Sequence, residues 1–443
     1  MSVFLDKIIT KKKIFFYQFI KIFLFTSFIF LWDVKIGYVN FRYLILFLLL
    51  GIFNNLKTKI FFDIIFALKS FFIIFFILSA HILLNNFYEQ KVFDYNLLLP
   101  VLFFSLIFLI CEFYYKFIIK NLFNINLLFV LIFIMSFFFN INKPSYDTYF
   151  CGGIPFYSSL STVEFKIYFK NNIFNENSHL GMIAPAVIFY SFFYTLNKNK
   201  YFIFFIFFIF FIICLITSSL TLLAGLALCI ILFFIFNYKD MKFFLFFFFV
   251  ILVLGLMLLL DKQQCSSKLK SISSHITNHI TVDLSIKNIE NKNLENKNLD
   301  MPKTSLFYST TIAVYARAAT IGLNSFLERP LGWGLNRYIS AFEYYKVTIP
   351  SQIGDNDINL LNTKDGANNF SKLIVEFGIF AFVILFFIFK YFISNKILIE
   401  EKLFFISIVV VQLSRGAGYF NGGFLLCMFI ILISILTKLK KND

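Results

Sequence analysis

The chain is 443 residues long, 60% hydrophobic and only 14% charged, where a soluble domain is roughly half apolar and about a quarter charged. Its 71 phenylalanines gather with Ile and Leu into blocks of about 17 to 25 residues, enough for a helix to cross a hydrocarbon core about 30 Å thick. Composition therefore excludes a soluble globular fold. The net charge of +16 does not mark a nucleic-acid binder, because the lysines lie in short patches between apolar blocks, as in loops that face an anionic lipid surface.

Lys11, Lys12 and Lys13 precede the first block and no small-residue cleavage site follows it, so it reads as an uncleaved first span. Spans are predicted at 14–32, 38–53, 60–84, 97–119, 122–140, 178–196, 201–216, 219–236, 243–260, 371–394, 403–413 and 420–437, about twelve in all. The run 201–236 is too long for one crossing and is divided at Thr217, Ser218 and Ser219. With the N-terminus inside, Lys57, Lys59, Lys116, Lys120, Lys198, Lys200, Lys239, Lys242, Lys396 and Lys402 fall in inner loops. The short outer loops hold little more than Lys35, Lys91 and Arg415. That asymmetry places both termini in the cytoplasm.

The expected fold class is all-α, a polytopic membrane helix bundle. It divides into an N-terminal bundle of about nine helices (1–260), a large outer loop (261–370) and C-terminal membrane helices (371–443). Cys111, Cys214, Cys229 and Cys427 fall inside apolar blocks as small hydrophobes, while Cys151 and Cys265 fall in outer loops and are candidates for a disulfide. No His/Cys pattern has metal-ligand spacing.

In the large loop, residues 287–300 form an Asn/Lys/Glu repeat with little to bury, read as a solvated insertion. Residues 306–327 carry Ile312, Tyr315, Ala319, Leu323 and Phe326 at helical spacing, which predicts an amphipathic helix lying against the bundle and ended by Pro330. Leu-Gly-Trp-Gly-Leu follows at 331–335, a flexible stretch with Trp333 as its aromatic anchor.

Arginine usage points to the chemistry. The chain has 35 Lys but five Arg, and Arg42, Arg317, Arg329, Arg337 and Arg415 all lie at or beyond the predicted outer boundary. A guanidinium grips phosphate oxygens in bidentate fashion where lysine offers a point charge, so outer-facing arginines suit a lipid-pyrophosphate site; they equally suit interfacial anchors. Asp365, Asn368 and Asn369 precede a span, and Glu376 lies a turn or two inside it, as a functional carboxylate or as a shallow one that snorkels. Residues 415–423, RGAGYFNGG, offer glycines for close backbone approach and Tyr419 for sugar stacking, or a tight helix–helix turn. Glu176 and His179 stand at an outer helix start with Ser178 as N-cap, and His179 is either an acid/base or a plain hydrogen-bonding residue.

The order of these segments resembles the O-antigen ligase and polymerase superfamily of bacterial envelope glycosyltransferases. Arg317 matches that superfamily's helix arginine, and Pro330, Leu331, Gly332, Gly334 and Tyr338 match its "PLxGxGxxxY/F" stretch. Asn369, Glu376 and Gly378 match its "HNxxLxxxxExG" segment, but Asn368 stands where ligases have His. The resemblance is strongest over 306–423, and with the RGAGYFNGG turn it favours the polymerase (Wzy-type) branch.

The resemblance implies a GT-C-like membrane enzyme at the periplasmic face of the bacterial inner membrane, polymerising undecaprenyl-pyrophosphate-linked repeat units of a surface glycan without a metal or other cofactor. Its partners would be a lipid-linked glycan donor and acceptor and membrane lipid, with a chain-length regulator protein as a further candidate. Arg317, Arg337 and Arg415 would hold the diphosphate, and Glu176, His179, Asp365 or Glu376 would activate the acceptor. Asn368, Asn369, Trp333, Tyr338 and Tyr419 are the expected substrate contacts. The alternatives are a ligase transferring finished glycan to lipid A core and, in another class, a lipid-linked sugar flippase.

Overall fold

The computed structural model describes residues 2–32, 35–36, 39–40, 45–46, 48–49, 61–88, 97–140, 156–157, 166–167, 177–216, 220–237, 310–347, 362–364, 366–416 and 418–439. Among these are twelve helices: α1 (Ser2–Phe30), α2 (Phe61–Tyr88), α3 (Leu98–Asn140), α4 (Asn177–Asn197), α5 (Tyr201–Ile216), α6 (Leu220–Asn237), α7 (Thr310–Glu328), α8 (Tyr338–Tyr345), α9 (Asn369–Phe377), α10 (Ile379–Ile393), α11 (Ile399–Ser414) and α12 (Phe424–Leu439). Two small antiparallel hairpins, β1 (Lys35–Ile36) with β2 (Val39–Asn40) and β3 (Phe156–Tyr157) with β4 (Lys166–Ile167), are the strands among the described residues.

Three helices are long and apolar enough to cross a membrane, over Leu68–Asn85, Leu98–Phe138 and His179–Asn197. Shorter apolar stretches lie at Phe15–Phe30, Tyr201–Cys214, Thr221–Phe234, Ile379–Ile393 and Phe424–Thr437. Large side chains such as Phe76, Ile77, Phe202 and Phe386 are exposed on their outer faces, as suits a multi-pass membrane protein whose solvent there is hydrocarbon.

The centre of the bundle is α11. Almost its whole length from Glu401 to Gln412 is buried, and it runs antiparallel to α4. Asn197 Nδ2 reaches Glu400 Oε1 at 3.5 Å at one end, and the Tyr190 and Phe404 rings meet edge to face at 5.9 Å. Pro185 and Val411 then flank Gly225 of α6, each within 3.1 Å of where a Cβ would stand. Cys111, Cys214, Cys229 and Cys427 are buried free thiols.

Four sequence expectations change. The predicted pair of spans 97–119 and 122–140 is one continuous helix of 43 residues, about 65 Å long and so about twice one crossing. No Gly or Pro interrupts it after Pro100, and the polar residues near the expected loop bond back into their own helix: Asn121 Nδ2 to the Phe117 carbonyl at 2.9 Å and Asn126 Nδ2 to that of Leu122 at 2.8 Å. Lys116 and Lys120 therefore sit mid-helix rather than in a loop. The predicted span 38–53 begins instead with the β1–β2 hairpin. The predicted span 371–394 is broken at Gly378 into α9 and α10. The predicted amphipathic helix is present as α7, but Ala319 and Leu323 are exposed, and the buried face carries Ala313, Val314, Arg317, Ala318, Ile321 and Ser325. The small residues of that face let α7 approach α9 closely, with Ser371 3.8 Å from where a Cβ on Gly322 would stand. The span 243–260, the break at 217–219, the repeat 287–300, Cys151 and Cys265 lie outside the described residues.

Candidate functional site

The loop after α7 is not flexible but stitched to the α9–α10 break. The Trp333 N–H donates to the Val375 carbonyl at 2.8 Å, Gly334 N–H to that of Glu376 at 2.9 Å, and Ile379 N–H to that of Pro330 at 2.7 Å. Helix α9 ends there because Gly378 takes φ 54° and ψ −125°, and Gly332 faces it at φ 84°, both in the region that favours glycine. Either Cβ would collide with the opposite backbone, so the two glycines permit the contact. The pairing fixes α7, α8 and the loop between them against one end of the bundle.

Onto this frame the side chains converge. Glu376 is fully buried; its Oε1 accepts the Tyr338 backbone N–H at 3.2 Å and lies 3.5 Å from Lys372 Nζ, one turn back on α9. Burial raises the pKa of this carboxyl, and the Lys372 ammonium is the largest influence pulling it back. Lys372 is itself buried, donates to the Lys364 carbonyl at 2.8 Å and lies 5.3 Å from the centre of the Tyr419 ring. Arg317, 2% exposed, places its guanidinium 4.8 Å from the Phe342 ring on α8, beside Tyr338. Arg415, where α11 ends, lies 5.8 Å from the ring of Tyr315 on α7. Arg337 is buried in the turn leading into α8. Arg317 and Arg415 thus reach two rings packed against one aromatic cluster, Arg337 stands at the start of α8, and Lys372 is the basic side chain that faces Glu376.

Asn368 caps α9, its Oδ1 accepting the Ser371 N–H at 2.7 Å. Asn369 is wholly buried against Gly416, and neither atom of its amide has a hydrogen-bond partner. An unpaired buried amide costs about 1–3 kcal/mol and calls for an explanation. Gly416→Ala would drive a methyl group into that side chain, and we expect it to lower stability by about 1–3 kcal/mol in thermal unfolding of the purified protein. Pairing it with Asn369→Ala should restore most of the loss.

No protein-family model, curated protein or solved structure matches this chain.

The expected site residues thus separate by surroundings. Glu376 meets the Tyr338 backbone, Arg317 lies beside Tyr338, and Asn369 abuts Gly416 next to Arg415. Trp333, Tyr338 and Tyr419 are, however, 1 to 3% exposed. Trp333 packs among Ala313, Val314 and Ile321, Tyr338 covers Gly366, and Tyr419 stacks with Phe424 at 6.2 Å, a burial they share with Arg317 and Arg337. His179 lies 4.6 Å from the Trp32 ring at the end of α1. The antiparallel register of α4 on α11, Asn197 by Glu400 and Pro185 by Val411, carries His179 to the level of Arg415 and Gly416. Glu176 and Asp365 lie outside the described residues.

Two contributors escaped the sequence reading. Lys372 was legible as the i,i+4 partner of Glu376, a spacing that puts both on one helix face. Gln412 was not: its Nε2 donates to the Gly422 carbonyl at 2.7 Å and pins the Gly-rich turn, a contact that only the fold reveals.

Proposed function

We propose that this chain is an integral-membrane glycosyltransferase that polymerises repeat units carried on undecaprenyl pyrophosphate, at the outer face of a bacterial inner membrane with both termini in the cytoplasm. The observation that carries the reading is that Arg317 and Arg415 reach rings packed against one aromatic cluster, with Arg337 entering α8 beside a loop held by backbone pairing to the helix that bears Lys372. In the reaction, the acceptor hydroxyl oxygen attacks the anomeric carbon of the donor sugar and the bond from that carbon to the phosphate oxygen breaks. Negative charge grows on the departing diphosphate, and fixed guanidinium groups in a partly dry site stabilise it without reorganising. The acceptor proton passes to a base. His179 suits that role better than Glu376, because it is half-buried at the level of Arg415, whereas Glu376 is buried and holds the Tyr338 N–H.

Glu376 and Asn368 are then positioning residues: one anchors the loop bearing Arg337, the other caps the helix bearing Lys372. A cap suits Asn, and Asn368 stands where the ligase branch has His, which supports the polymerase branch.

Arg317→Lys keeps the charge but loses the planar fork. We expect it to abolish long-chain glycan in cells while the protein remains in the membrane fraction at normal abundance, leaving core plus a single repeat on a glycan gel. An unchanged ladder would refute the reading. Bare core with lipid-linked polymer stranded in the membrane would assign the ligase reaction instead.

A further inference from the structure

We infer that α7 is a half-immersed helix whose exposed stripe, Leu323, Leu327 and the following Leu331, is a docking surface for the acyl chains of the bilayer. Leu323 and Leu327, 61 and 69% exposed, are four residues apart on one side of α7, and Leu331, 58% exposed, follows in the turn beyond its end. The stripe borders two apolar stretches, through Phe326 on Phe382 and Leu331 on His81.

Two contacts give its depth. The Phe326 ring lies 5.6 Å from that of Phe382, within the first turn of the apolar stretch Ile379–Ile393. On the other flank, His81 Nε2 lies 2.9 Å from the Leu331 carbonyl oxygen, and His81 stands about one turn inside the end of the apolar stretch Leu68–Asn85. Both markers put the C-terminal end of α7 roughly a turn below the edge of the apolar zone.

The direction of α7 follows from its other neighbours. Tyr315 lies by Arg415, Gly322 by Ser371 and Phe326 by Phe382, so the helix descends from its N-terminus toward the membrane. Arg317 is then about 14 Å above Phe326 along the helix axis, at headgroup height. The inference does not depend on the transferase reading.

The test is spin-label accessibility in lipid nanodiscs. Leu323→Cys and Leu327→Cys would each be introduced into a background with Cys151→Ser and Cys265→Ser, leaving the four buried thiols in place, and a nitroxide attached. Phe386→Cys, on the exposed face of α10, is the hydrocarbon reference. The expected result is collision with dissolved oxygen exceeding collision with a water-soluble nickel chelate several-fold at both leucine positions, as at the reference. Nickel-dominated collision at either position would overturn the inference, placing the stripe in water. Suppression of both collisions, with dipolar broadening between labels on different copies, would overturn it in favour of a second copy of the chain. Because the two labels sit on exposed side chains and are read independently, loss of one variant leaves the other to decide.

Discussion

Gly378→Ala is expected to destabilise the folded protein severely, whereas Gly322→Ala, two turns before the C-terminus of α7, should be tolerated. At Gly378 the backbone takes φ 54° and ψ −125°, which an L side chain occupies only with strain of about 1–3 kcal/mol. A Cβ there would also meet the Pro330 carbonyl oxygen and the Gly332 nitrogen, which are backbone and cannot rotate away. Overpacking of that kind adds about 1–3 kcal/mol, and relieving it would part the Ile379 N–H from the Pro330 carbonyl. A total of about 2–6 kcal/mol is a large share of the 5–15 kcal/mol that holds a typical fold together. Gly322 is helical and its Cβ would find ordinary van der Waals contact at 3.8 Å with Ser371, so alanine there gains helix propensity. Fluorescence-detected size exclusion of tagged variants after heating separates the outcomes: aggregation at low temperature for Gly378→Ala, an unchanged or slightly raised midpoint for Gly322→Ala.

The same junction shows what sequence could and could not reveal. The existence of α4, α5, α6 and α12 followed from apolar block length, because a helix is the way to satisfy backbone polar groups in hydrocarbon without a closed barrel. Which face or which helix is buried did not follow. The stretch Leu68–Asn85 has mean hydropathy 1.9 and is 6% buried, whereas His179–Asn197 has 1.4 and is 83% buried. When the surrounding solvent is itself apolar, hydrophobicity ceases to mark the inside, and small residues mark close packing better. The face of α7 was inverted for that reason: Leu323 and Phe326 drew attention, while Ala313, Ala318 and Gly322 make the contact. The break at Gly378 was hidden because apolar residues continue on both sides of it, and the backbone partner that stops α9 comes from more than forty residues away. The arginines stood out in the sequence because Arg is rare in this chain, but nothing in their spacing foretold that Arg317 and Arg337 are buried. The same held for Trp333, Tyr338 and Tyr419, whose aromatic rings read as ligand contacts but fill the core.

Removing one member of the Lys372–Glu376 pair is expected to cost more than removing both. The two groups lie 3.5 Å apart with side chains 4% and 0% exposed, so water screens neither charge. Glu376→Gln keeps an acceptor for the Tyr338 N–H but leaves the Lys372 ammonium buried without the carboxylate that now faces it, a loss on the order of 3–5 kcal/mol. Lys372→Met leaves the reverse problem, easier to relieve, because burial already raises the Glu376 pKa and the acid can take up a proton. The double variant Lys372→Met with Glu376→Gln removes both charges and keeps the loop anchor. It should recover at least about 1 kcal/mol relative to the sum of the single changes, the coupling expected of groups in direct contact. Thermal unfolding of the four proteins in one detergent measures that coupling; strict additivity would mean the pair contributes nothing.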